Sequence, residues 1–176
     1  MADAEFKTID RGKARIKAQL EKAHGFVALI GIPGTAKPPK GKNGKPATIN
    51  MATLAYIMEK GSPVNNLDPR PFMEKTRKRV EGKFDKLAAR LYKNILAGKT
   101  DAIAALKDLG ARYEGEMKNS FTQETFKENA QITINGGWMK NKVSGKVFKV
   151  EGKKSTRPLI NNGALRDSIL SKVQRV

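Results

Sequence analysis

Apolar residues recur every three or four positions over two long stretches in the middle of the chain. In the first, from about residue 71 to 97, they form one helical stripe of Val80, Phe84, Leu87, Ala88, Leu91 and Ile95. The same spacing continues in the second through Ile103, Leu106, Leu109, Tyr113, Met117 and Phe121. Gly98 separates the two stretches, and Thr100 can cap the second, with Asp101 in its first turn. The pattern predicts two long amphipathic helices joined by a hairpin or a bend.

Shorter patterns precede these helices. Residues 10–22 indicate a short helix with Asp10 as its N-cap, and the continuously apolar run Phe26–Ile32 is typical of a buried strand. Asn50 is placed to cap a further helix that runs to about Lys60 and ends at Gly61. The N-terminal third therefore predicts helix, strand and helix.

The C-terminal third changes character. Residues 131–135 alternate as a strand that Gly136 and Gly137 would break, and residues 146–151 indicate a weaker strand. A single helical turn follows Gly163, and residues 168–176 favour a final strand. The sum is an α+β fold: one domain over residues 1–176, with a small, mainly antiparallel sheet packed against two long amphipathic helices.

The charge of the chain is its strongest compositional feature. Among 176 residues, 35 Lys and Arg face 17 Asp and Glu, which leaves a net charge of +18. A field of this sign favours an anionic neighbour, whether nucleic acid or an acidic protein surface. The excess is concentrated in residues 75–93, in a basic, loop-rich segment at 138–157, and in a flexible Lys/Gly/Pro-rich loop at 33–48, whose lysines are Lys37, Lys40, Lys42 and Lys45.

The basic residues of the first long helix keep to one side of it. At 3.6 residues per turn they form a stripe beside the apolar one, made of Lys75, Arg79, Lys83, Lys86, Arg90 and Lys93. Two interpretations stay open. The stripe is either a solvated helix face, or a surface that contacts phosphates or acidic protein. Base-specific recognition is not expected, because the basic segments contain few aromatic residues and no recognition-module signature.

Several classes of protein are excluded by residue content. The chain has no Cys and a single His, His24, which excludes disulfide scaffolds, Cys-ligated zinc and His-rich metal sites. No apolar run reaches about 18 residues, and no signal peptide is recognised, so we expect a soluble protein without a membrane partner. We also expect no enzyme, cofactor, metal or small-molecule substrate, since the acids Glu114, Glu116, Glu124 and Glu128 are predicted to form a solvated face.

Two segments together carry a family resemblance. One is residues 54–62 (LAYIMEKGS) with 69–73 (PRPFM), and the other is residues 157–169 (RPLINNGALRDSI). In this order, with two helices between, they resemble the neck or tail-completion proteins of long-tailed bacteriophages, also described as head–tail joining or minor tail proteins. The family usually has Asp where Asn161 stands and Pro where Asp68 stands. The residues that carry the resemblance are Gly61, Pro69, Arg70, Pro71, Phe72, Pro158, Leu159, Ile160, Gly163, Leu165 and Ser168.

These motif residues also have a structural explanation. The prolines on either side of Arg70 stiffen the entry into the long helix and aim Phe72 at the core, while Gly163 permits an unusual backbone conformation. We therefore expect the motifs to be signatures of the fold rather than a site.

The resemblance implies a structural virion protein made in the host bacterial cytoplasm. Such a protein assembles as a homo-oligomeric ring, of six copies, at the head–tail junction, between head-closure or connector proteins and tail-terminator or tail-tube proteins, and lets DNA pass. Whether it is the neck ring or the tail terminator stays open, as do the exact copy number of the ring and the tail type. On this interpretation the basic segments dock on acidic neighbours, with non-specific contact to genome DNA also open. The alternative is a sequence-independent nucleic-acid-binding protein that uses the basic helix face.

Overall fold

The molecule is built on two long antiparallel helices and two small two-stranded sheets. A computed structural model describes residues 12–38, 49–65, 67–141, 144–156, 159 and 163–176. The elements in chain order are α1 (Lys13–Ala23), β1 (Phe26–Gly31), α2 (Met51–Lys60), a 3₁₀ turn (Pro63–Asn65), α3 (Phe72–Leu96), α4 (Ala102–Gln123), α5 (Gln131–Asn135), β2 (Gly136–Lys140), β3 (Val147–Glu151), α6 (Ala164–Asp167) and β4 (Leu170–Arg175). The α+β fold is confirmed.

Helices α3 and α4 form the predicted hairpin. Phe84 of α3 meets Tyr113 of α4 edge to face, with ring centroids 5.0 Å apart. The cap of α4 differs from the prediction, because Asp101 and not Thr100 is the N-cap and accepts a hydrogen bond from the backbone of Ala104 at 2.9 Å. A carboxylate at the N-cap satisfies a free amide and also complements the helix dipole, whereas the Thr100 hydroxyl lies 3.4 Å from the carbonyl oxygen of Asp101.

The first sheet packs one face against α4. Strand β1 pairs antiparallel with β4, so that Ala28 lies opposite Val173 and Ile30 opposite Ser171. Helix α4 approaches closely at Gly110, where an added methyl group would lie 3.2 Å from Cβ of Ser171. Within the described residues the other face is open, and Leu29 is 50% exposed. The prediction of a buried strand is therefore wrong, because no residue of β1 is buried and the described part of this sheet has two strands and one covering helix.

The second sheet is a hairpin of β2 and β3. Its first strand begins at Gly136, where the strand predicted over residues 131–135 was expected to end. Residues 131–135 form the short helix α5 instead of a strand, and the strand starts at Gly136. Gly136 has φ 80°, and a side chain there would come within 2.8 Å of the carbonyl oxygen of Val150. The two glycines thus redirect the chain from helix into strand, which the alternation of Ile132 and Ile134 alone did not indicate. The predicted loop-rich segment at 138–157 is mostly this hairpin.

The hydrophobic core brings the two family motifs together. Phe72 and Ile169 are fully buried, and Leu165 joins them. The ring of Phe121 lies 4.9 Å from that of Phe72. The same buried cluster contains Met51, Ala55 and Met117, with Leu159 packed against it. Segments about 90 residues apart in sequence therefore share one core, as expected of signatures of a fold.

The N-terminal helix begins differently from the prediction. The N-cap of α1 is Gly12, in a left-handed conformation, while Asp10 lies outside the described residues. The α1 helix is tied to the α3–α4 connection by side chains: Arg15 donates to the carbonyl oxygen of Leu96 at 2.9 Å, and Lys22 pairs with Asp101 at 2.8 Å. The helix that precedes β1 thus braces the turn between the long helices.

Candidate docking surface

The basic stripe of α3 divides into two halves with different surroundings. In the N-terminal half, Lys75, Arg79 and Lys83 all contact other groups of the same chain. Lys75 donates from Nζ to the carbonyl oxygen of Thr125 and lies 4.8 Å from the ring centroid of Phe126. This half of the stripe is therefore engaged within the fold.

Arg79 is the centre of an ion-pair network between α3 and the end of α4. Its Nε donates to Glu124 at 2.9 Å, its Nη1 to the carboxylate of Glu116 at 2.7 Å and its Nη2 to the carbonyl oxygen of Glu116 at 3.0 Å. Lys83 also donates to Glu116. These hydrogen bonds, from Lys83 first and then Arg79, lower the pKa of Glu116, and the bond with Glu116 raises the pKa of Arg79.

Of the four acids predicted to form a solvated face, Glu128 is exposed, but Glu114, Glu116 and Glu124 are engaged within the fold. The side chains of Glu116 and Glu124 are each 16% exposed. Glu114 accepts from the backbone of Ser171 at 2.6 Å and from Lys118 at 2.7 Å, which ties α4 to β4. Burial alone would raise the pKa of Glu114, but these hydrogen bonds hold it below its ordinary value. The acids neutralise the chain's own cations and hold elements together.

Replacing Glu116 with glutamine tests this network. Because the folded-state pKa of Glu116 lies below the ordinary value of 4.5, its contribution to stability is present above that pH and is lost as the pH falls through the folded pKa. We expect Glu116→Gln to lower the free energy of unfolding by about 1–2 kcal/mol at pH 7. We also expect it to flatten the loss of stability below about pH 4.5. Urea unfolding at a series of pH values measures both effects.

Glu81 provides the matched control for Glu116. It lies on the exposed side of α3 and pairs with Arg77 at 3.7 Å, with 63% of its side chain exposed. Glu81→Gln should change the free energy of unfolding by less than about 0.5 kcal/mol. Equal effects of the two substitutions would contradict a special role for the network.

In the C-terminal half of the stripe, Lys86, Arg90 and Lys93 are exposed. Within the described part of the chain, none of the three has an acidic partner. Lys86 and Arg90 line an open groove of about 740 Å³ between α3 and α4, with Arg112 contributed by α4. The unpaired cations of the stripe are thus gathered at one end of the long helix.

The floor of this groove is apolar. Phe84 and Leu87 of α3 are half-buried there, and Gly82 and Gly115 leave open space along it. A concave surface with an apolar centre and unpaired cations beside it suits an acidic, amphipathic protein segment better than a flat array of lysines would. We call this the α3–α4 groove.

The β2–β3 hairpin is a second exposed surface, which sequence reasoning missed. Trp138 is 70% exposed, Val147 63% and Phe148 45%. Trp138 pairs with Lys149, and Met139 pairs with Phe148. Because successive side chains of a strand point to opposite faces, the hairpin carries apolar side chains on both faces. The signal that could have found it is the presence of Trp138, Met139, Val147 and Phe148 within a short basic segment. The hairpin also carries Lys140, Lys146 and Lys149, all exposed.

The other residues singled out from sequence lie in different parts of the chain. Gly61, Pro69, Arg70, Pro71 and Phe72 surround the start of α3, with Arg70 and Phe72 buried. Leu159, Gly163, Leu165 and Ser168 lie around α6, where Gly163 has φ 76° and Ser168 donates to the carbonyl oxygen of Ala164 at 2.7 Å. Lys37 is exposed. The remaining predicted residues, Lys40, Lys42, Lys45, Pro158 and Ile160, lie outside the described residues.

The described residues also bear on metal binding and on membrane insertion. No group of three or more acidic, His or Cys side chains there is arranged to hold a metal ion. None of the helices in this part of the chain is both long and apolar enough to cross a bilayer.

Comparison with known proteins does not decide the family. No protein-family model matches the chain, and no curated protein or solved structure shows significant similarity to it. The resemblance to phage neck and tail-completion proteins therefore stays a prediction that depends on the two motif segments.

Proposed function

We propose that this chain is a structural, non-enzymatic virion protein of a tailed bacteriophage, forming a ring at the head–tail junction. In this role it joins the head-closure or connector side to the tail and leaves a path for DNA. One observation carries the proposal: exposed cations and apolar side chains occur together on the α3–α4 groove and on the β2–β3 hairpin. Surfaces of this composition suit permanent contacts with other proteins.

The two motif segments give the proposal its family. They contribute Phe72, Leu165 and Ile169 to one buried cluster, so their joint presence in the sequence is the signature of a single core. A shared core supports membership of the fold that the resemblance names. It does not by itself distinguish the neck ring from the tail terminator.

The net charge of +18 defines the kind of neighbour that the ring requires. Copies of the chain brought together would repel each other unless anionic partners neutralise them. Arg79, Lys83 and Lys75 are already engaged within the chain. The docking contacts therefore belong to Lys86, Arg90 and Lys93, and the partner surface that meets them is acidic.

Charge reversal in the groove tests the docking role. We expect Lys86→Glu with Arg90→Glu to lower the yield of joined, infectious particles by at least about tenfold, because each reversed charge would face a like charge on the partner. Free heads and free tails should accumulate, as counted by electron microscopy of lysates. The purified double variant should unfold within about 2 °C of the unmodified protein, since both side chains are exposed and unpaired.

A double variant with the same change of charge provides the control. Lys17 is 73% exposed on α1, and Lys107 is exposed on α4 outside the groove. Lys17→Glu with Lys107→Glu should leave assembly intact. Normal assembly by the groove variant would contradict docking through the groove. Imaging of the assembled particle tests the wider proposal, which fails if no ring of this chain lies between head and tail.

A second function is favoured by one observation, the spacing of the unpaired cations. Lys86, Arg90 and Lys93 lie within two turns of one helix, at the separation of contacts to a phosphate backbone. A sequence-independent DNA-binding protein would show an affinity for duplex DNA that falls steeply as the salt concentration rises. In a plot of the logarithm of affinity against the logarithm of salt concentration, the groove double variant should reduce the steepness of the slope by about 2. Absence of binding by the purified protein at low salt excludes this function.

A further inference from the structure

Arg70 is a buried cation with most of its donors unused. The residue is 8% exposed, and its Nε has no hydrogen-bond partner among the described residues. Nη2 donates to Oδ1 of Asn129 at 3.3 Å, and Nη1 lies 3.8 Å from the sulfur of Met58, which is a weak acceptor. A guanidinium has five N–H donors, so this one is far from satisfied.

A second cation, Lys153, lies near Arg70. It is half-buried, and its charge interacts with that of the guanidinium. Burial and, after it, this repulsion lower the pKa of Lys153, while burial lowers the pKa of Arg70. Two desolvated like charges within electrostatic range of each other are costly unless an anion neutralises them.

The described residues provide no such anion. Neither Arg70 nor Lys153 forms a salt bridge within the described ranges. The nearest acid that acts on Arg70 is Asp68, but its carboxylate pairs with Lys127 at 3.0 Å and is 51% exposed. Within the described residues, therefore, no carboxylate forms an ion pair with either cation.

The backbone around the two cations is firmly held. Nδ2 of Asn129 donates to the carbonyl oxygen of Ser155 at 3.2 Å. The backbone amide of Asn129 donates to the carbonyl oxygen of Thr156 at 3.2 Å. The amide of Lys153 donates to the carbonyl oxygen of Thr133 at 2.9 Å. Asn129, itself 6% exposed, thus links Arg70 to the loop that carries Lys153.

We propose that Arg70 and Lys153 form a binding site for a small oxyanion, with Asn129 holding the guanidinium in place. The guanidinium suits a planar or tetrahedral oxyanion through paired N–H···O bonds, and the ammonium adds a second charge. A nucleic-acid backbone cannot reach a group this deeply buried. The ligand is therefore a free anion such as inorganic phosphate, or a single carboxylate presented by a neighbouring protein chain. The site does not depend on the function proposed above.

Thermal unfolding of the full chain tests the site. The Tm is measured in potassium chloride, potassium phosphate and potassium acetate at equal ionic strength. Phosphate strengthens folding in general, so the comparison between variants decides. We expect the rise in Tm from chloride to phosphate or acetate to be about 3–6 °C larger for the unmodified protein than for Lys153→Met. A larger effect of phosphate indicates a free anion as the natural ligand, and a larger effect of acetate indicates a carboxylate.

The Tm in potassium chloride gives a second expectation. The sign of its change is opposite to that expected on removal of a lysine that stabilises the fold. Without a ligand, Lys153→Met removes a desolvated charge beside Arg70, so it should raise the Tm by about 2–4 °C. The control is Lys149→Met, which removes an exposed charge from the adjacent β2–β3 hairpin, and its Tm should change as that of the unmodified protein does in all three salts.

The Nε–H signal of Arg70 in heteronuclear NMR spectra gives a readout that needs no variant. It should shift on titration with inorganic phosphate or acetate and not with chloride. Equal salt responses of the unmodified protein and Lys153→Met, or an Arg70 signal that no oxyanion moves, would overturn the proposal.

Discussion

Replacing Phe72 with alanine is expected to lower the free energy of unfolding by about 3–5 kcal/mol, the largest effect of any substitution considered for this chain. Phe72 is fully buried at the first residue of α3, and its ring lies 4.9 Å from that of Phe121. It also belongs to the cluster that holds Leu165 and Ile169. Truncation would open a cavity where both long helices and the C-terminal segment meet.

Urea unfolding followed by circular dichroism measures this effect. Tyr92→Ala is the control, because Tyr92 lies on the same helix with 52% exposure and should cost less than about 1 kcal/mol. If Phe72→Ala does not fold, Phe72→Leu retains most of the volume and should cost about 1–2 kcal/mol. Comparable losses for Phe72 and Tyr92 would show that Phe72 does not anchor the core.

Gly61→Ala is expected to cost about 2–4 kcal/mol. Gly61 ends α2 at φ 75°, a conformation that L-residues with side chains rarely adopt. An added methyl group would lie 2.6 Å from the carbonyl oxygen of Leu67 and 2.8 Å from the nitrogen of Pro69. These are backbone atoms, so relief requires moving the chain that leads to Arg70 and Phe72.

Gly82→Ala should have the opposite sign. Gly82 lies inside α3, and an added methyl group there meets no atom within 4 Å. Alanine at this position should stabilise the protein by about 0.5–1 kcal/mol, through helix propensity. Thermal unfolding of the two variants side by side is the measurement, and a Gly61→Ala protein as stable as the original would contradict the close approach.

These two predictions concern residues on which the family resemblance depends. Gly61 and Phe72 act through backbone geometry and burial, so these two motif residues serve the core, whereas Arg70 of the same motif belongs to the proposed oxyanion site. The proposed function therefore depends on the surfaces: the α3–α4 groove, with Lys86 and Arg90, and the β2–β3 hairpin, with Trp138 and Phe148.

Local sequence was sufficient for elements whose signals are strong and contained within a few residues. The spacing of apolar residues predicted α3 and α4 within one or two residues of their observed bounds. Asn50 caps α2 as expected, accepting from the amide of Thr53 at 2.7 Å. The final strand was also expected, and β4 is Leu170–Arg175. For the helices the deciding interactions join residues that are close in sequence, whereas β4 shows a strand pattern locally although its partner, β1, is distant in sequence.

Weak local signals failed where a distant partner decided. The alternation at 131–135 fits a strand, but β3 pairs instead with the glycine-led strand that follows, and residues 131–135 remain a helical turn. The run Phe26–Ile32 is typical of a buried strand, yet its only sheet neighbour within the described residues is β4, and one face stays open. A strand's burial depends on how many layers cover it, which a single segment does not specify.

The sequence by itself determined the fold class, the two long helices, the motif residues that build the core and the sign and concentration of the charge. Only the tertiary structure decided which charges are available. Arg79 and Lys83 are neutralised by Glu116, more than 30 residues away, while Lys86, Arg90 and Lys93 form no salt bridge among the described residues, and neither do Arg70 and Lys153. The reason is physical: a charge is recognised by what lies within a few ångströms in space, and the fold places those neighbours.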